Sequence, residues 1–251
     1  MGFSLVGWNE SQDSSAGLTQ VAALADQHVT TQGDDILVPD FAPNLAAVFA
    51  ASAALTRAQL TSPSLRRHTQ LDVAPINASD EPVAPTPWMP FFQKPLPLEV
   101  GEGLRALVTD STGGASQSKV LVWLQGELVP IPEGVIQTIR CTATAALAAE
   151  AWTLLTLTLS QQLEAGRYAI VGMRAEAAGG IAARLVIPGS TYRPGCICYD
   201  AVGDVEDPLF RFGKMGQSWG EFEHLFVPQV EFLSTSADTA ETVWLDVVKL
   251  N

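Results

Sequence analysis

Phe91–Leu128 reads FFQKPLPLEVGEGLRALVTDSTGGASQSKVLVWLQGEL, and Leu225–Leu250 reads LFVPQVEFLSTSADTAETVWLDVVKL. Each stretch opens on aromatic and apolar residues around a proline: Phe91, Phe92 and Pro95 in one, Leu225, Phe226 and Pro228 in the other. Each continues through a β-like run and a small polar loop into a closing strand that carries a tryptophan, Lys119–Leu124 and Thr242–Val248. Upstream, LAAVF at 45–49 matches YAIVG at 168–172, LTRAQLTSP at 55–63 matches IAARLVIP at 181–188, and LDV at 71–73 matches YDA at 199–201. The matches keep their order at an offset of roughly 120 to 135 residues, drifting as loop insertions make it drift. Identities are few; the order predicts a structural duplication.

The chain has 251 residues, 47% hydrophobic and 16% charged, with a net charge of -13. That length holds one large β domain or two of about 125 residues. So little charge predicts that part of the surface is buried against partners. No Lys or Arg precedes Arg57, while Glu10, Asp13, Asp26, Asp34, Asp35 and Asp40 all do. Nucleic-acid binding relies on cations that displace counterions from phosphates, so direct nucleic-acid binding is not expected.

The three cysteines, Cys141, Cys196 and Cys198, form no disulfide framework and are read as small buried thiols. The amino terminus lacks a basic segment followed by a long apolar one, so no secretory signal is expected. The apolar runs near Leu45–Leu55 and Ala145–Leu159 are too short or too interrupted to span a membrane.

Residues 1–30 read as an arm, with a short helix expected from Leu18, Val21, Ala22 and Ala25 on one face and Asp13 or Ser14 as cap. Strands are expected over 35–39, 46–54, 59–61, 68–76, 135–143, 152–159, 166–173, 182–187, 195–202, 223–233 and 241–250. The run 142–151 is rich in alanine and leaves a helix open. Asn77–Pro90 is a proline-rich loop, and Pro130–Gly134 is the expected boundary between two domains packed side by side. Many short strands divided by Gly and Pro turns point to sandwiches or barrels.

Catalytic chemistry is sparse. His28, His68 and His224 have no metal-ligand spacing, and there is no G-x-S-x-G elbow, P-loop or dinucleotide fingerprint. Gly33-Asp34-Asp35 reads as an acidic turn. Asp200, Asp204, Glu206 and Asp207 make one acidic loop; a solvated loop is the first reading and a cation site the second. Glu221 and Glu223 would share one side of a strand, but a glycosidase needs its two acids across a cleft. Trp123 and Trp244 occupy matching places in the two closing strands, which predicts equivalent core or inter-domain packing. No catalytic residue, metal ligand or cofactor is expected.

Over roughly residues 31–251, the duplication, strand pattern and size resemble the double-jelly-roll major capsid proteins of tailless, internal-membrane bacteriophages, in the marine lipid-containing and finnlakevirus groups. RAQLTSPSLRR at 57–67, KVLVWLQGELVPIP at 119–132 and GRYAIVGMRAEAAGGIAARLVIPG at 166–189 carry the likeness. None of these phrases is diagnostic. The resemblance implies an all-β chain: an arm over 1–30, a first jelly roll over 31–132 and a second over 133–251, with few short helices.

It also implies a structural virion protein rather than an enzyme. Three chains would give six rolls, a pseudo-hexagonal homotrimer that tiles an icosahedral shell. Partners would be the chain itself, penton or minor coat proteins, and an internal viral membrane touched peripherally; assembly would take place in the host cytoplasm. The alternatives are a minor coat or vertex protein and a two-module carbohydrate-binding adhesion protein.

Overall fold

Along Gly103–Asp110, Leu104, Ala106, Val108 and Asp110 are buried while Gly103, Arg105, Leu107 and Thr109 are partly exposed. This period of two is that of a strand with one face on a core. The computed structural model describes residues 2–52, 54–68, 71–73, 76–77, 89–90, 93–200, 208–237 and 239–250. The chain divides into two compact units: an amino-terminal unit of Leu5–Gly126, and a carboxy-terminal unit of Glu127–Asn251 joined by Met1–Ser4.

The amino-terminal unit is built on eight strands: β1 (Phe3–Gln12), β2 (Asp35–Leu37), β3 (Asn44–Ser52), β4 (Leu55–Thr61), β5 (Leu71–Val73), β6 (Leu96–Pro97), β7 (Gly103–Asp110) and β8 (Ser116–Gln125). Its pairing is nested. β1 lies against β8, β2 against β7, β3 against β6 and β4 against β5. Lateral pairs β8–β3 and β7–β4 complete two sheets, ordered β1-β8-β3-β6 and β2-β7-β4-β5. A long hairpin rolled up on itself has this order, and the unit is a jelly roll.

The carboxy-terminal unit repeats the plan with β9 (Ile136–Ala143), β10 (Thr153–Thr156), β11 (Arg167–Glu176), β12 (Gly180–Val186), β13 (Gly195–Tyr199), β14 (Gly220–Glu223), β15 (Gln229–Ser234) and β16 (Glu241–Lys249). β9 pairs with β16, β10 with β15, β11 with β14 and β12 with β13. β16 and β11 pair laterally, as do β15 and β12. Two parallel residue pairs between β11 and β13 also join the two halves along one edge. The protein is therefore all-β, and the same nesting occurs twice in one chain.

Burial follows the plan. β3 is buried on both faces from Leu45 to Ser52, and β8 from Ser118 to Gln125. Gly7 in β1 has a packing reason: a Cβ there would meet the Leu121 side chain and lie 2.8 Å from the Val120 carbonyl oxygen.

Four expectations are corrected. Residues 1–30 are not an arm, since β1 is the first strand of the first roll, with Phe3, Leu5, Val6 and Trp8 fully buried. The expected helix is absent as well. Val21 N–H donates to Ala106 O at 3.0 Å, Asn9 N–H to Ala22 O at 3.1 Å and Leu24 N–H to Gly7 O at 3.0 Å, so this backbone bonds to strands and not to its own turn.

The alanine-rich run 142–151 is not helical either: β9 takes its start, and Glu150 N–H donates to Ser234 O. The strand expected from His68 is preceded by an unforeseen helix, α1 (Pro63–His68). Ser62 caps it, its hydroxyl accepting from Leu65 N–H at 3.1 Å, and Pro63 occupies the first turn, where a missing N–H costs nothing. The proline-rich stretch 78–88 lies outside the described residues.

Candidate assembly surface

The polar residues picked out by sequence hold local structure. Asp200 accepts Gly179 N–H at 3.2 Å. Asp204, Glu206 and Asp207 lie outside the described residues. Glu221 and Glu223 do share a face of β14, and both sit against one cation, Arg167 of β11; the Glu223 contact is 3.6 Å. Gly33 and Asp34 form a two-residue hairpin turn, with Gly33 at φ 61°. Asp35 beside it accepts two bonds from Arg105 at 2.7 and 2.8 Å.

The His28 ring lies 5.1 Å from Phe41, and His224 Nδ1 accepts Gly166 N–H at 3.3 Å. The His68 side chain is outside the described set. A recess lined by Ser160, Gln161, Gln162, Leu163, His224 and Leu225 contains a serine and a histidine, but Ser160 donates to Arg140 O. Among the described residues, no group of three or more His, Cys, Asp and Glu is placed to hold a metal. Nor is any helix there long and apolar enough to cross a membrane.

All three cysteines are free and buried. Burial pushes the Cys141 thiol up to about 12 and raises Cys198 well above its ordinary value. Thiolate is the reactive form. In the folded protein at pH 8, none of the three is expected to react with a disulfide reagent within minutes, and all three should react in denaturant. One fast thiol in the native titration would contradict this packing.

The two matched tryptophans are not equivalent, which corrects the expectation. Trp123 is fully buried and pairs with Ala47, the fourth residue of β3. Trp244 pairs with Arg174, the eighth residue of β11, and with Arg140 of β9. It is half-buried, with the Arg174 guanidinium 5.5 Å from its ring and 4.7 Å from that of Tyr199. The closing strands correspond, but the two rings stand at different levels along them. Trp8 and Trp219 are core residues, Trp152 stacks on Arg184 at 4.1 Å, and Trp88 lies outside the described residues.

The large apolar side chains that stay exposed are more informative. Val135 is 78% exposed, Leu225 75%, Phe226 65%, Val100 58% and Phe212 52%. Leu225 and Phe226 sit in the turn between β14 and β15, and Val100 sits in the turn between β6 and β7. These are the same connection of the two rolls, and it is apolar at its tip in both.

Phe212 is held differently. It is one of two non-glycine residues among those described with a left-handed backbone, φ 51°. Its N–H donates to Asp246 Oδ2 at 2.8 Å. The same carboxylate, fully buried, accepts Arg211 Nε at 2.8 Å, Arg211 Nη2 at 3.1 Å and the Thr138 hydroxyl at 2.6 Å. The Arg211 guanidinium lies 4.6 Å from the Phe212 ring centre. Gly172 of β11 leaves room for this loop: a Cβ there would lie 2.7 Å from Phe210 O and 2.8 Å from Asp246 Oδ2. A buried, bidentate ion pair thus fixes a strained residue so that its ring faces outward. Sequence reasoning passed over Phe212 and Asp246. The available signal was one aspartate within the apolar strand TVWLDVV, because a buried carboxylate requires partners.

No family model matches the chain, and no curated protein matches it. Among solved structures, the chain is similar to the major capsid protein P2 from bacteriophage PM2, at 12% identity over 99% of this chain and 98% of that one, with a TM-score of 0.27. A score that low carries no argument about this chain. The jelly-roll assignment rests on the chain's own strand pairing.

Proposed function

We propose that this chain is a structural virion protein, a coat subunit of which three copies form a pseudo-hexagonal homotrimer that tiles an icosahedral shell. The observation that carries the reading is the nested eight-strand plan found twice in one chain. One such chain brings two similar rolls, so threefold symmetry among three chains presents six rolls around an axis. Closed cyclic symmetry is the ordinary way for identical subunits to associate. The phage-coat resemblance of 57–67, 119–132 and 166–189 points the same way.

The subunit has no catalytic role in this reading. Its partners are its own copies, penton or minor coat proteins, and peripherally an internal viral membrane. It sits in the virion after assembly in the host cytoplasm. The acidic first 56 residues, with no Lys or Arg, fit a shell that does not touch nucleic acid.

Light scattering on the size-exclusion peak tests this reading. The expected mass is three times the chain's 26.7 kDa, with a hexagonal outline in negative stain. A particle that stays monomeric at every concentration and ionic strength would sink it.

A further inference from the structure

We propose that a cleft in the amino-terminal unit, between the end of β4, the start of α1 and strand β7, is a binding site for a small tetrahedral oxyanion of the phosphate or sulfate type. The inference goes beyond the coat reading and does not depend on it.

The cleft has a volume of about 250 Å³, and Asp35, Thr61, Ser62, Arg66, Gly103 and Arg105 line it. Strand register brings two guanidinium groups to one place. Arg105 of β7 lies directly opposite Thr61, the last residue of β4. Arg66 of α1 reaches back to the same threonine, its Nε donating to Thr61 Oγ1 at 3.0 Å. Thr61 is 2% exposed, so the neighbour that both arginines share is fixed in the packed sheet.

The carboxylates close by are already engaged. Asp35 accepts Arg105 Nε and Nη2 and, at 2.9 Å, Gln20 Nε2. Gly103 makes room for that carboxylate, since a Cβ there would lie 2.9 Å from Asp35 Oδ2. Glu102 accepts the Ser62 hydroxyl and Ser64 N–H, both at 2.9 Å, so the first turn of α1 is satisfied within the chain and offers nothing to a ligand.

Donors remain. Among the described residues, no carboxylate pairs with Arg66, and its two Nη groups have no partner. Arg66 is exposed, so an ion reaches it from solvent. Asp35 takes Nε and Nη2 of Arg105 and leaves Nη1. The Thr61 hydroxyl accepts from Arg66 and keeps its own hydrogen to donate. These donors come from three chain positions, on α1, on β7 and at the end of β4, and so suit an ion that presents oxygens in more than one plane. Guanidinium forks are the usual partners of such oxyanions.

Calorimetric titration of inorganic phosphate into the full chain, with potassium chloride of equal ionic strength as the blank, tests this. The expected result is saturable binding of one ion per chain in the millimolar range. The melting temperature should rise with phosphate, because the ion binds the folded state. Arg66→Gln should weaken binding at least about tenfold, as expected when a charged hydrogen-bonding partner is lost. Its melting temperature in chloride should stay near the wild-type value, since Arg66 is exposed and makes a single side-chain bond. Arg66→Lys keeps the charge but loses the fork, and should also bind more weakly than wild type.

Arg66→Lys protein that binds phosphate as tightly as wild type would reduce the effect to screening by charge, and the site would fail. No saturable heat and no phosphate-dependent rise in melting temperature would overturn the inference outright. An acetate response equal to that of phosphate would overturn the tetrahedral assignment. Each of these outcomes leaves the test of the trimer untouched.

Discussion

Asp246→Ala is expected to lower folding stability by about 3–5 kcal/mol, because it strands a buried guanidinium. Arg211 is 9% exposed and Asp246 not at all, so solvent screens little of the pair. Alanine would remove the acceptor for two Arg211 bonds, the Thr138 hydroxyl and Phe212 N–H together. Leaving a charge without its partner is what makes such changes severe; replacing both members by apolar groups is far milder. The double variant Asp246→Ala with Arg211→Met should therefore recover most of the loss. Equilibrium urea unfolding of wild type and the two variants measures this. A single-variant loss under about 1 kcal/mol would mean that water reaches Arg211 and that the loop has no such lock.

Trp123→Ala should cost a similar amount, about 3–5 kcal/mol, as expected when a fully buried indole leaves a cavity in a packed sheet. Trp244→Ala should cost only about 1–2 kcal/mol. Its ring is half-buried, and what it loses is partial burial and a cation–π contact with Arg174. The two substitutions are chemically identical and fall on corresponding strands of the two rolls, so the difference isolates position along the strand. Equal losses in thermal or urea unfolding would restore the equivalence that the sequence match predicts and would contradict the register described here.

Those tryptophans show how far the sequence is legible. Closing strands 119–124 and 242–248 were readable as equivalents because period, composition and flanking turns agree over many residues. Register was not readable, because a bulge between Trp123 and Leu124, and another between Ile170 and Gly172, shift the pairing without leaving a mark in the pattern.

β1 was misread for a related reason. FSLVGWNESQ alternates weakly, and its partner β8 lies more than a hundred residues away, so nothing local marks it as a strand. Leu18, Val21, Ala22 and Ala25 happen to fit a helical spacing, but tertiary pairing with β7 and β1 outweighs that local preference. α1 had a readable cap in Ser62-Pro63, although its six residues are too few for periodicity to register. The exposed ring of Phe212 was least legible of all. Phe212 lies in a glycine-rich loop whose sequence does not say which way a ring points.

The nested pairing also sets an order of events in time. β4 and β5 are neighbours in sequence, so their contact closes a short loop at small entropic cost, whereas β1 must wait for β8 across the whole roll. Each roll therefore closes from its innermost hairpin outward. Until β8 is in place the apolar residues Phe3, Leu5 and Val6 of β1 lack their partner strand, and that interval is when premature association between chains competes with folding.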